Sequence, residues 1–497
     1  MALAFVVSCT SENSKVEVKK PNIVIFYVDD LGYADVSCYG AKGVSTPNVD
    51  RMAENGLKFT DAHSSAATCT PSRYSLLTGE YAFRNNASVL PGDAPLIIDT
   101  TQLTIPKMLK RVGYKSAVVG KWHLGLGNGE VDWNGTVSPG PLEVGFDYSF
   151  LLPATGDRVP TVYLENYDVV NLESVDPITV SYAEPVGDRP NGIDNPELLR
   201  FKADRQHSET IVNGVSRIGS MAGGEKALWI DEEFPDVFTQ KAVDFIKENK
   251  DDPFFLFFSF HDIHVPRLPN ERFQGMSSMG PRGDAIVQMD WMTGRVMDAL
   301  KEQGLEDNTL VIFTSDNGPV LNDGYEDFAE EKIGDHNPSG PFRGGKYSAF
   351  EAGTRVPTIT YWPGKVIKGE TKALFTQTDI LSSLASLVGV SLDAEEKADS
   401  QNQLKALLGE DKMGRKYMLE EAYTTSIRTM DWKYIKPVAD KSKVSPEWIK
   451  NKKIEGGMDS IPQLYNVSVD LGEKNNVAEQ NPEIVKELEA ELNNILM

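Results

Sequence analysis

Short apolar runs closed by polar residues set the rhythm of this chain. Ile23–Val28, Ala117–Gly120, Phe254–Phe260 and Leu310–Ser315 are nearly continuous in apolar residues and lack the alternation of a half-exposed strand. Strands buried on both faces of a parallel sheet read this way. Between them the spacing becomes helical, over Asn48–Gly56, Ser72–Thr78, Thr104–Val112, Asp236–Lys247, Ile286–Gln303 and Thr378–Val388. Strand and helix alternate, so the expected class is α/β, a mostly parallel central sheet sandwiched by helices, with Val356–Trp362 as a further strand. Residues 125–235, rich in Gly, Pro and Asp, read as an insertion over one edge of that sheet. A polar stretch near 390–415 marks a boundary. Beyond it, Lys416–Glu421, Thr425–Ile435 and Gln463–Val467 read as short strands and Pro482–Leu496 as a closing helix. The expected organisation is a leader over 1–20, a large α/β domain over 21–395, and a smaller α+β subdomain with an antiparallel sheet over 396–497.

The ends of the four runs carry the chemistry: Asp29-Asp30, Lys121-Trp-His123, His261-Asp-Ile-His264 and Asp316-Asn317. In open α/β sheets, ligands gather beyond the carboxyl ends of the strands. Asp29, Asp30, Asp316 and Asn317 offer hard oxygen atoms, which select Ca²⁺, or less favourably Mg²⁺, over zinc. One acidic pair after a strand would serve as a turn or helix cap. Two such pairs at separate strand ends argue for a metal. Arg73, Lys121 and Lys346 supply cations, the last after Arg-Gly-Gly, where bare backbone permits close approach. Cys69-Thr-Pro-Ser-Arg73 leads into a helix, placing residue 69 near an N-terminus that favours negative charge.

Charge narrows the function classes. The 497 residues carry a formal charge of −23, which argues against a nucleic-acid partner. An anionic substrate must then meet a local cluster of cations, because the global field repels it. The three cysteines, Cys9, Cys38 and Cys69, form no disulfide framework. Met1–Cys9 resembles the end of a bacterial lipoprotein signal, with Cys9 as a candidate lipid anchor, although a basic start and a long apolar core are lacking. The expected location is therefore outside the cytoplasm, periplasmic or membrane-anchored.

Several segments together resemble the type I, formylglycine-dependent sulfatases of the alkaline phosphatase superfamily. They are Thr46-Pro-Asn-Val-Asp50, Cys69-Thr-Pro-Ser-Arg73 continuing into Ser75-Leu-Leu-Thr-Gly-Glu80, Gly120-Lys-Trp-His-Leu-Gly125, Ser315-Asp-Asn-Gly-Pro319, Arg343-Gly-Gly-Lys346 and Leu464-Tyr-Asn466. The resemblance implies an alkaline-phosphatase-like fold and a maturation enzyme that oxidises Cys69 to Cα-formylglycine. It implies that a hydroxyl of the hydrated aldehyde attacks sulfur, and that the second hydroxyl allows sulfate to be expelled. It assigns Asp29, Asp30, Asp316 and Asn317, with residue 69, to one Ca²⁺. Arg73 would hold the formylglycine hydrate, and Lys121 and Lys346 would neutralise sulfate oxygens. His123 is the candidate base for breakdown of the intermediate, and His264 the candidate general acid, with a pKa near working pH. Arg158, His207, His261 and His336 are candidates for contacting the substrate, and His63 carries only a weak argument.

The expected function is hydrolysis of a sulfated oligo- or polysaccharide, leaning to galactose or N-acetylgalactosamine 6-O-sulfate on the Gly156-Asp-Arg-Val-Pro160 and Arg343-Gly-Gly-Lys-Tyr-Ser348 segments. A phosphodiesterase or phosphonate monoester hydrolase of the same superfamily is the first alternative. A non-catalytic glycan-binding lipoprotein is the second.

Overall fold

The computed structural model describes residues 19–497 except 441, 443 and 445, so the expected lipid anchor at Cys9 lies outside the described residues. Each apolar run is a strand. In space the large sheet runs Gly369–Thr371, Leu57–Phe59, Thr358–Tyr361, Thr309–Ser315, Asn22–Val28, Phe254–Ser259, Lys115–Lys121, Tyr148–Leu152, Leu164–Glu165 and Asp168–Val169. The five strands from Thr309–Ser315 to Tyr148–Leu152 are mutually parallel, so their carboxyl ends open on one side. Thr358–Tyr361 and Leu164–Glu165 flank them antiparallel.

The absence of alternation follows from what covers the sheet. Ile23, Ile25 and Tyr27 point into a core shared with helices Cys69–Thr78, Ile105–Lys110 and Ile380–Val388. Val24, Phe26 and Val28 point into a second core, with Pro47–Asn55, Phe234–Glu248 and Gly280–Glu302. With both faces dry, every strand position gains from being apolar, at about 1.5–3 kcal/mol per large side chain. The expected sandwich is therefore present. One detail has a different cause from the expected one. Helix Pro47–Asn55 stops at Gly56, whose φ of −123° is not left-handed. A Cβ there would lie 2.2 Å from the Thr360 carbonyl oxygen, so glycine permits a close backbone crossing rather than an unusual turn.

The smaller sheet is antiparallel, in the order Met418–Glu421, Thr425–Arg428, Trp432–Ile435 and Gln463–Asn466. The single strand expected over Thr425–Ile435 is instead a hairpin. The Thr429 N–H donates to the Trp432 carbonyl, which turns the chain at Met430-Asp431. Helix Pro482–Leu496 covers this sheet through Leu488 and Leu492, which pack with Leu419, Ile427 and Tyr434. Tyr81 also packs there, while Ala406 and Leu407 pack into the large sheet's core, so the two units exchange side chains across their joint.

His63 belongs to that joint. Its ring nitrogens lie 2.9 Å from Asp61 and 2.8 Å from Glu420. Burial lowers its pKa, but the two carboxylates outweigh burial and raise it. Arg428 on Glu351 (2.9 Å) and Lys433 on Glu420 (2.9 Å) balance the remaining charge, so this cluster is an ionic clamp. Breaking one member of such a buried network costs about 3–5 kcal/mol.

Candidate active site

Parallel register brings the polar strand ends together. Val28 pairs with Ser315, Tyr27 with Ser259, and Ser259 with Gly120. The next residues along these strands therefore converge. The Asp29 N–H donates to the Asp262 carbonyl (3.0 Å), and the Asp316 N–H donates to the Val28 carbonyl (3.0 Å). Asp30, at a left-handed φ of 58°, donates its N–H to Asp316 Oδ1 at 3.2 Å.

Cys69 is the first residue of the fully buried helix Cys69–Thr78 and is 2 % exposed. Its Sγ lies within 4.8 Å of carboxylate oxygens of both Asp29 and Asp316, which are likewise within that distance of each other. The same holds among Asp29, Asp30 and His264. Among the described residues, Asp29 Oδ1 and Asn317 Oδ1 are buried side-chain oxygens without a hydrogen-bond donor. Asn317 donates Nδ2 to Asp30 Oδ1 at 2.7 Å, which turns its own oxygen away from that carboxylate. Two unpartnered hard oxygens beside three buried carboxylates are a donor set that fits Ca²⁺ or Mg²⁺.

The cations are placed by these acids. Arg73 donates Nε and Nη2 to Asp316 Oδ2 at 3.0 and 2.7 Å, and Nη1 to Ser259 Oγ at 2.5 Å. Lys121 contacts Asp29. Lys346 bridges Asp30 and Asp323, 2.9 Å from each. Burial and the neighbouring Asp316 push the Asp29 carboxyl well up despite Lys121. Burial also raises Asp316, yet Arg73 and Lys121 outweigh it and hold that carboxyl below the ordinary range. Burial lowers the Lys346 pKa, and Asp30 and Asp323 reverse this, so its ammonium stays charged.

His123 and His264 face the same cavity of about 220 Å³, which Cys69, Lys346, Asp157, Arg158 and His207 also line. His123 donates Nε2–H to the Leu90 carbonyl at 2.9 Å, leaving Nδ1 as a buried lone pair without a partner. His264 donates Nδ1–H to the Val265 carbonyl at 2.7 Å, leaving Nε2 3.8 Å from Asp30. Burial and the ammonium groups of Lys346 and Lys121 hold His264 well below the ordinary histidine range. The expectation of a pKa near working pH is therefore not met by the protein groups alone. Burial and Lys121 act alike on His123.

The candidates for substrate contact divide. Arg158 donates to Thr155 Oγ1 (2.7 Å) and Asp157 (2.8 Å) at the cavity wall. His207 sits between Asp204 (2.7 Å) and Asp157 (3.3 Å); burial lowers its pKa, but the two carboxylates lift it to about 9. His261 is not among the cavity-lining residues. It packs on Phe234 at 5.2 Å, and burial brings its pKa down to about 3. His336 is elsewhere too, donating Nε2–H to Asp35 (2.8 Å) beside the Arg282–Asp35 pair. It was expected at the substrate because it lies in a loop, but its partner is an internal ion pair. Asp157, Asp323, Tyr347, Tyr423, Trp448 and Lys452 line the cavity without having been singled out from sequence. Asp157 and Tyr347 carried a signal, as the neighbours of Arg158 and Lys346 in the two segments behind the galacto lean; the other four carried none.

A family model described as Sulfatase matches residues 21–390. The chain is 50% identical over 474 residues to the N-acetylgalactosamine-6-O-sulfatase of Bacteroides thetaiotaomicron, covering 95% of this chain and 92% of that one. It is 32% identical over 400 residues to human N-acetylgalactosamine-6-sulfatase, covering 78% of this chain and 66% of that one. A structure solved for the metabolism of multiple glycosaminoglycans by Bacteroides thetaiotaomicron superposes with a TM-score of 0.93 at 50% identity, covering 96% of this chain and 99% of that one. With the strand-end acids and buried cations gathered about Cys69, these matches place the chain in the sulfatase family.

Proposed function

We propose that this sulfatase removes 6-O-sulfate from a galacto-configured sugar, galactose or N-acetylgalactosamine, in a sulfated oligo- or polysaccharide. The observation that carries the reading is 50% identity over 95% of the chain to an enzyme named for that reaction. The cavity supports it, because its cations, histidines and carboxylates surround a space suited to a sugar sulfate.

Asp29, Asp30, Asp316 and Asn317 would hold a Ca²⁺ ion, which supplies charge neutralisation, and formylglycine made from Cys69 by a maturation enzyme supplies a hydrated aldehyde as nucleophile. The rest falls to this chain's own groups. Lys346, and Lys121 beside it, bind the sulfate oxygens and offset negative charge as it builds. Arg73, pinned by Asp316 and Ser259, fixes the orientation of residue 69. His264 Nε2 delivers a proton to the leaving sugar oxygen. Burial depresses the His264 pKa most and the two ammonium groups add to it; the sulfate's charge opposes the ammonium groups and so favours the protonated ring once substrate is bound. The free Nδ1 of His123 accepts the proton released as sulfate is expelled. Asp157, held by His207, and Arg158 offer hydrogen bonds to sugar hydroxyls.

Export, with anchoring through Cys9, suits a polysaccharide substrate; among the described residues no helix is long and apolar enough to cross a membrane. The test is sulfate release from sugars sulfated at defined positions, alongside matched phosphate esters. Preference for 6-O-sulfated galactose or N-acetylgalactosamine is the expected result. Preference for a phosphodiester or phosphonate ester, or for another sulfate position, would overturn the reading.

A further inference from the structure

The cavity has an aromatic side that the sulfate chemistry does not use. Tyr347 follows Lys346 directly, and its hydroxyl donates to Asp323 at 3.1 Å. Trp448, from the short helix Glu447–Asn451, meets Tyr347 edge to face, with centroids 5.2 Å apart at 85°. Tyr423 meets Trp448 in the same way at 5.0 Å and 75°. All three line the cavity that holds Cys69.

Two features separate this trio from ordinary core packing. Trp448 is 40 % exposed and Tyr423 45 % exposed, so neither ring is closed off by the protein itself. Exposed aromatic surface continuous with a charged pocket is costly to leave wet, and it gains most when an apolar ligand face covers it. The trio is also tied to the charged wall of the cavity. Tyr347 is anchored through Asp323, which Lys346 and Lys452 hold in turn, and each ring wedges the next. A preorganised platform loses little side-chain freedom when it is covered.

We infer that Trp448 and Tyr423 form a stacking platform for the C–H face of the sulfated sugar ring, and that this platform favours galacto- over gluco-configuration. In a galacto-configured ring the axial fourth hydroxyl leaves the hydrogens of the third, fourth and fifth carbons as one uninterrupted apolar patch. In a gluco-configured ring that hydroxyl is equatorial and the patch is broken. Asp157 and Arg158 on the same cavity then meet the hydroxyls, so each kind of sugar surface has a partner of its own character. This rests on the 6-O-sulfatase reading above. It adds that selectivity for the sugar comes in part from the C-terminal segment.

The experiment compares steady-state kinetics on galactose 6-sulfate and glucose 6-sulfate for the unsubstituted enzyme, Trp448→Ala, Trp448→Phe and Tyr423→Ala. Trp448→Ala is expected to raise KM for the galacto sugar roughly 5- to 20-fold with kcat little changed, as loss of one aromatic contact does. The galacto-to-gluco ratio should shrink in both alanine variants, and Trp448→Phe should restore most of it. If the unsubstituted enzyme acts on galactose 6-sulfate while Trp448→Ala keeps both KM and the ratio, the platform is refuted and the 6-O-sulfatase reading stands. A fall in kcat at constant KM, with the ratio unchanged, refutes it equally. The same comparison is made on the N-acetylgalactosamine and N-acetylglucosamine 6-sulfates, and sulfate release from none of the four sugars by the unsubstituted enzyme overturns the substrate reading and this inference with it.

Discussion

At the scale of single residues, the site works by making each group's hydrogen bonds decide what its remaining atom can do. His264 spends Nδ1–H on the Val265 carbonyl and His123 spends Nε2–H on the Leu90 carbonyl, so one free nitrogen of each is left for chemistry. If His264 protonates the leaving oxygen, its importance must scale with how poor that leaving group is. His264→Ala should lower kcat on a sugar sulfate by about 10²–10⁴, the usual worth of a positioned acid, and far less on p-nitrophenyl sulfate. Steady-state rates on the two substrates check this, and equal losses on both would remove His264 from that role. Trp448, Tyr423 and Lys452 show the limit of reading a residue from sequence. They sit in a polar C-terminal stretch whose composition carries no chemical signal, and only folding brings them to the cavity.

At the scale of elements, the large sheet was legible because its strands are buried on both faces, and continuous apolar runs report that condition directly. The strand-end acids were legible for a related reason. A charge that follows a buried strand has no solvent to turn to, so Asp29-Asp30 and Asp316-Asn317 must meet partners. The hairpin at Thr429–Asp431 was not legible, since no glycine or Asn-Gly pair marks it, and backbone pairing through Thr429 makes the turn instead. His336 was misplaced for a similar reason: a loop position says nothing of the buried Asp35–Arg282 pair that holds its ring. Because the acids come from different strands, an ion that binds them should tie those strands together and stabilise the fold by mass action, about 2.7 kcal/mol at 100 times its Kd. Chelation should therefore lower Tm and added Ca²⁺ should restore it, with the effect much reduced in Asp29→Asn. A Tm indifferent to chelator, measured by scanning calorimetry, would speak against a metal at these strand ends.

At the scale of the whole molecule, a charge of −23 surrounds a site built to take an anion, so recognition depends on buried cations rather than on the general field. Burying so many charges leaves some carboxyls protonated. Burial pushes Glu421, in strand Met418–Glu421 of the small sheet, up to about 8 from an ordinary 4.5. The folded protein holds that proton between about pH 4.5 and 8 while the unfolded chain has released it, so this group's contribution to stability is lost as pH rises through that window. Glu421→Gln keeps the shape without the titration, and its Tm should fall less than the parent's between pH 5 and 8. Parallel Tm profiles for the two proteins would assign the carboxyl no such shift. The account as a whole comes down to residue 69, which lies against Asp29 and Asp316 and lines one cavity with Lys346, His123 and His264. Sulfate release from 6-O-sulfated N-acetylgalactosamine by Cys69→Ala, loaded with Ca²⁺ and shown to be folded, tests it most directly. Activity should fall to background, and turnover at the parent rate would show that the displacement on sulfur takes place without the group made from Cys69.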